Sequence, residues 1–102
     1  MYLVQILLPL ADNEGHRFSR NAYDRVRAEL TEEFGGVTAF LRSPAEGSWV
    51  ERHGAVSRDD VVIYEVMTGT LDREWWDAYR VKLQKRFRQE ELVVRASAME
   101  RL

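Results

Sequence analysis

The sequence predicts a single α+β domain built in the order β-α-β-β-α-β, and three observations carry that prediction. Short apolar and β-branched runs stand at 2–10, 37–42, 61–67 and 91–99. Amphipathic segments separate the first run from the second and the third from the fourth. At 102 residues the chain holds one two-layer core and little more, so residues 1–102 form one domain. The pattern is the split βαβ, or ferredoxin-like, arrangement: a four-stranded antiparallel sheet, order 4-1-3-2, with two helices on one face.

The first run, "YLVQILLPL", is apolar at both parities apart from Gln5 and ends at Pro9, as a central strand covered on both faces should be. In "SRNAYDRVRAELTEEFGG", Tyr23, Val26, Leu30 and Phe34 recur at spacings of three and four with charges between them. That is a helix with one apolar stripe, stopped by Gly35 and Gly36. "VTAFLR" is the second strand. Residues 43–60 carry Pro44, Gly47 and Gly54, which predicts an extra hairpin excursion with a short strand around Trp49 and Val50. "VVIYEVM" is the third strand. Asp72 suits the N-cap of the second helix, with Leu71 and Trp76 placed for a hydrophobic staple. That helix runs to about Arg88, and 91–99 closes the sheet.

The second helix carries Trp75, Tyr79, Leu83 and Phe87 at intervals of four, with Trp76 beside them. Such a stripe is the ordinary signature of a face buried against a core. Adjacent residues sit about 100° apart around a helix, so burying both tryptophans needs a wide covered face. Trp75 is therefore the one expected at a pocket mouth or a partner surface. The cluster Arg80, Lys82, Lys85, Arg86 and Arg88 reads as a solvated face whose cations complement the helix dipole.

Strand parity assigns faces. Val4, Ile6, Leu8, Val62, Tyr64, Val66, Leu92 and Val94 form the more apolar set and should meet the helices. The opposite set is Leu3, Gln5, Leu7, Val61, Ile63, Glu65, Met67, Val93, Arg95, Ser97, Thr38, Phe40 and Arg42. It is an apolar face with a polar centre, Gln5, Glu65 and Arg95, on three adjacent strands. So much apolar surface calls for a cover, and a second copy of the chain across a two-fold axis supplies it most economically. The trio then reads as a buried network fixing the register of a homodimer. Two functional readings stand beside that one: ligand contact, or catalysis with Glu65 as base and Arg95 binding an oxyanion. The candidate ligand-binding residues are Gln5, Glu65, Arg95, Arg42, Trp49 and Trp75.

Composition excludes other classes. Fifteen basic and 17 acidic side chains leave a formal charge of −2, which gives no electrostatic footprint for nucleic acid. The chain has no cysteine, so disulfides, thiolate chemistry and cysteine-ligated metals are out. His16 and His53, the two histidines, lack any metal-binding spacing, and neither a metal nor a cofactor is expected. The N-terminal run is too short for a membrane span and lacks the basic flank of a signal peptide, so the expected compartment is the cytoplasm. Ser43, Ser48 and Ser57 lack a nucleophile-elbow context. Gly35-Gly36 follows a helix and cannot cradle phosphate at a helix N-terminus.

"FGGVTAF" (34–40), Gly47-Ser48-Trp49 followed by Gly54, and "RFRQEELVV" (86–94) give the chain a resemblance to an uncharacterised bacterial family with a ferredoxin-like pattern. The resemblance spans about residues 18–96, implies no reaction, and points to Trp49, Phe87, Gln89 and Glu90 as residues that matter. Gln89 and Glu90 fall at a helix-to-strand junction, where side chains satisfy loop backbone groups.

The leading functional expectation is a small cytoplasmic homodimer with no enzymatic activity recognisable in its residues, its candidate place for a small ligand being near the open sheet face or the 43–60 excursion. The alternative is a cofactor-free enzyme of the dimeric α/β-barrel kind, resembling monooxygenases or isomerases of small aromatic or polyketide-like substrates. A third is an interaction module that uses the Trp49 hairpin as an edge. A roomy pocket between sheet and helices that reaches a polar side chain distinguishes the enzyme.

Overall fold

The computed structural model describes residues 1–42 and 61–102. In chain order the elements are β1 (Tyr2–Pro9), α1 (Arg20–Phe34), β2 (Thr38–Arg42), β3 (Val61–Thr68), α2 (Arg73–Arg86) and β4 (Val94–Ala98). The strands form one antiparallel sheet in the order β2-β3-β1-β4. This is the ferredoxin-like α+β arrangement. The hairpin excursion and the Trp49 edge expected at 43–60 lie outside the described residues. β4 begins at Val94, later than its apolar run suggests, although the Val93 carbonyl still accepts from the Leu7 amide at 3.0 Å.

β1 lies between β3 and β4 and sets the layer beneath the helices. Val4, Ile6 and Leu8 alternate along it, all buried, and pack with Tyr64, Val66 and Leu92 of the neighbouring chain segments. Val26 and Leu30 of α1, with Trp76, Tyr79 and Leu83 of α2 and Phe87 just beyond it, close the same cluster. Both helices therefore cover one face. Phe87 is fully buried, its ring edge-on to Phe18 at 5.1 Å and tilted against Tyr23 at 5.4 Å. The Tyr23 hydroxyl donates to the Pro9 carbonyl at 2.5 Å, and burial pushes its pKa up to about 12. Tyr64 donates in turn to the Tyr23 carbonyl at 3.2 Å, so the polar tips of both rings are satisfied where the layers meet.

The helix ends follow local chemistry. Gly35 ends α1 at φ 81°, a conformation a Cβ would strain, and its amide donates to the Thr31 carbonyl. The Asp72 carboxylate caps α2 by accepting the Trp75 amide at 3.1 Å. At the far end, Arg88 occupies the left-handed region at φ 49° where glycine is usual. Its amide donates to the Lys85 carbonyl, and the Gln89 amide to the Gln84 carbonyl, the two bonds of a Schellman cap. The Gln89 side chain donates to the Phe87 carbonyl, and that of Gln84 to the Glu90 carbonyl. The junction that the family resemblance singles out is thus built of backbone satisfaction.

Two of the basic residues expected on a solvated face are instead engaged. Arg86 is largely buried and grips Glu29 of α1 with both arms, at 2.7 and 2.9 Å, while the Tyr79 hydroxyl donates to the same carboxylate at 2.8 Å. Arg86 lies seven positions after Tyr79, two turns along one stripe, so it reaches the partner helix and not solvent. Arg88 stacks over Phe18 at 5.0 Å and pairs with Asp12 at 3.1 Å.

Two outcomes follow from this packing. Phe87→Ala should lower stability by about 3–5 kcal/mol, as aromatic truncations in closed cores do, read from the urea midpoint at constant slope. An unchanged midpoint would mean that the ring is not core. Arg86 chiefly holds the Glu29 carboxyl below its usual range, opposed by desolvation. A depressed carboxylate stabilises above its unfolded pKa of about 4.3 and loses that contribution as pH falls through the folded value. Glu29→Gln should therefore cost about 1.5–3 kcal/mol at neutral pH, and the gap to wild type should narrow in acid. A gap of the same size at both pH values would remove the ion pair from the account.

Candidate functional site

Gln5, Glu65 and Arg95 meet on the sheet face away from the helices. The register places Gln5 opposite Glu65 on β3 and opposite Arg95 on β4, with Thr38 of β2 beyond Glu65. All four share one parity, so the strand pairing itself aligns them in a row. The Gln5 amide Nε2 donates to Glu65 at 2.5 Å, and the Arg95 Nε donates to the Gln5 Oε1 at 2.8 Å. Gln5 relays between an acid and a base whose strands are not themselves neighbours. Gln5 and Glu65 are half-buried, whereas Arg95 is exposed.

Around the row the face is apolar. Met1, Phe40, Met67 and Val93 are each between 45% and 50% exposed. Leu3 and Leu7 are half-buried, and Ile63, flanked in register by Leu7 and Phe40, is closed over. Arg42 ends β2 opposite Val61 in register, at one corner of the sheet. Trp49 lies outside the described residues.

On the other side of the sheet, α2 leaves part of β4 uncovered. Ala96 and Ala98 have the parity of the core yet are exposed. A cleft of about 350 Å³ opens there, floored by Val4, Val94 and Ala96 and walled by Leu71 and Trp76, with Tyr2 at the strand's start. Arg73, Asp77, Arg80 and Arg95 also border it. Arg80 is held by Asp77 at 2.6 Å and by Gln84, and Arg95 donates to Gln5 on the opposite face, so Arg73 is the other cation at its rim. This cleft was not legible as a site, because no motif marks it; the signal is the small Ala96 and Ala98 on a strand otherwise expected to be covered.

Trp75 is half-buried while Trp76 is closed in, so the wider face takes the second ring. Trp75 stacks on Tyr79 at 4.9 Å and meets Phe34 edge-on at 5.1 Å. Its free side borders a shallow surface hollow with Glu29, Glu32, Glu33 and Lys82, remote from the Gln5 row by a whole helix layer. The candidate residues thus fall into separate places: Gln5, Glu65 and Arg95 together, Trp75 elsewhere.

Asp12, Glu14 and His16 are the one group among the described residues whose donor atoms lie close enough to share a cation. Their geometry serves the turn instead. One Asp12 oxygen accepts the amides of Glu14 and His16 at 2.9 Å each, and the other takes Arg88. Desolvation raises the Asp12 pKa, but these bonds outweigh it and hold the carboxyl down at about 2.

No protein-family model matches the chain, and no curated protein matches it. Among solved structures the chain is similar to a phage SAM lyase in complex with S-methyl-5'-thioadenosine. The TM-score is 0.58 at 15% sequence identity, over 94% of this chain and 79% of that one. At that identity the likeness is one of architecture: a small α+β domain with the ferredoxin-like order of strands and helices.

Proposed function

We propose that the protein is a homodimer, paired through the open sheet face, that binds a small molecule. One observation carries the reading: an apolar sheet face whose polar centre is already bonded within the chain. Exposed Phe40, Met67 and Val93 make a patch that a monomer would be expected to cover. The Gln5–Glu65–Arg95 row meets the other requirement, because polar groups enter an interface cheaply only when paired beforehand. The ligand-binding half draws on the architectural neighbour, whose complex holds S-methyl-5'-thioadenosine. The resemblance to an uncharacterised bacterial ferredoxin-like family belongs to the same reading and adds no reaction to it.

A second reading is favoured by the cleft. A cofactor-free enzyme of the dimeric α/β-barrel kind needs a space between helix and sheet that reaches polar side chains. The cleft beside β4 has that position, with an aromatic wall at Trp76 and a cation at Arg73. In this reading the sheet face is an interface and the chemistry lies on its far side.

Sedimentation equilibrium at micromolar concentration should give about twice the 12.0 kDa chain mass. A clean monomer would sink the dimer. Calorimetric titration with S-methyl-5'-thioadenosine separates the two ligand positions: Ala96→Trp should abolish binding if the cleft is the site, whereas Glu65→Gln should do so if the sheet face is. Absence of saturable heat with the wild-type chain removes that nucleoside from consideration. The row itself makes a stability prediction. Glu65→Ala should cost about 0.5–1.5 kcal/mol in dilute monomer, where Arg95 remains hydrated, and about 3–5 kcal/mol once a second copy desolvates it. Urea midpoints measured across a concentration series test this; a cost independent of concentration counts against the interface.

A further inference from the structure

The polar row is also a signed row. From β2 to β4 it reads Thr38, Glu65, Gln5, Arg95, which is neutral, negative, neutral, positive. Its charge is therefore lopsided, with the acid on the β3 side of Gln5 and the base on the β4 side. Gln5 spends one amide hydrogen on Glu65 and one lone pair on Arg95. A glutamine amide has two donors and two acceptor sites, so one of each is left over from these two bonds.

Two sheets stacked face to face in the aligned manner keep their strands within about 30° of each other. Two kinds of two-fold axis then lie in the plane between them. An axis parallel to the row sets each row on its own image, Glu65 over Glu65 of the partner subunit and Arg95 over the partner's Arg95. An axis parallel to the strands turns the row end for end. Glu65 then lies over the β1–β4 side of the facing sheet and Arg95 over its β3 side, opposite charges toward one another. Sheets pack about 10 Å apart, a gap that a glutamate and an arginine reaching from both sides can close. Like charges stacked in a desolvated interface work against association, and crossed charges favour it.

We propose that the dimer's two-fold axis runs parallel to β1 and β3, so that Glu65 of each copy meets the partner's Arg95 while the two Gln5 amides pair near the axis. The inference rests on the dimer of the preceding subsection. It adds that each copy completes the other's polar row: four charges and two amides form one isologous network across the interface.

The absence of cysteine from the chain lets one introduced thiol report on one position. Leu3 and Leu7 flank Gln5 on β1, on the same face, four residues or about 13 Å apart. With the axis parallel to the strands, Leu7 lies near Leu7 of the partner subunit. With the axis along the row, Leu7 lies near the partner's Leu3. A bis-maleimide of about 10 Å span should therefore join Leu7→Cys chains to each other, and Leu3→Cys chains likewise. Cross-links formed only when Leu3→Cys and Leu7→Cys chains are mixed would overturn the proposal, as would a dimer that neither reagent mixture joins. Sedimentation of the unlabelled wild type distinguishes this failure from failure of the dimer itself: a monomer there removes both. Charge exchange gives a second readout. Glu65→Lys and Arg95→Glu should each weaken dimerisation by about tenfold or more, and the double exchange should restore it. Equal dimer strength in all three variants and wild type would overturn the crossed pairing.

Discussion

The register of β1 between β3 and β4 is the constraint on which everything else in the molecule depends. Because successive strand residues point to opposite faces, fixing Val4, Ile6 and Leu8 under the helices fixes Leu3, Gln5 and Leu7 on the other side. A slip of one residue would put Gln5 into the closed core beside Phe87 and Leu83 and carry the helix-side aliphatics out to the open face. The apolar core and the polar row are thus two consequences of one pairing. Neither can be altered by a register change without destroying the other.

This coupling explains why so much was legible in the sequence. Alternation in "YLVQILLPL" and "VVIYEVM" names the faces without any structure, and Asp72 and Gly35 announce helix ends by their own conformational chemistry. Parity and strand order together bring Gln5, Glu65 and Arg95 into line although 60 and 90 residues separate the bonded pairs. What stayed hidden depends on how elements lean on one another. Arg86 belongs to a basic cluster that reads as solvated, yet the approach of α1 gives it Glu29 and Tyr79. Arg88 sits where a glycine would advertise a helix stop, held instead by Asp12 and the Phe18 ring. The cleft beside β4 comes from the offset of a helix, and no residue pattern records an offset.

Architecture and function separate cleanly in this molecule. The ferredoxin-like arrangement is shared with a phage SAM lyase at 15% identity, and a frame this widely reused carries many chemistries. Function has to be argued from the two surfaces that the frame leaves open. One is a bonded row in an apolar field, and the other is a concave space with an aromatic wall and a cation at Arg73. They lie on opposite faces of the sheet, so association of copies through the first leaves the second clear. A ligand in the second would be reached without dismantling a dimer.

The central position of β1 has a consequence for how the chain comes into being. It is synthesised well before its two neighbours, β3 and β4, which follow it by more than 50 residues in the chain. During synthesis at roughly 5–20 residues per second, a segment apolar on both parities waits for its partners for several seconds or more. Pairings this distant in sequence also form slowly once the chain is released. Gln5 in the middle of that strand and Pro9 at its end interrupt what would otherwise be an unbroken run with a strong tendency to pair with other nascent chains. The same glutamine that centres the finished network is thus also the one polar break in the strand while it waits.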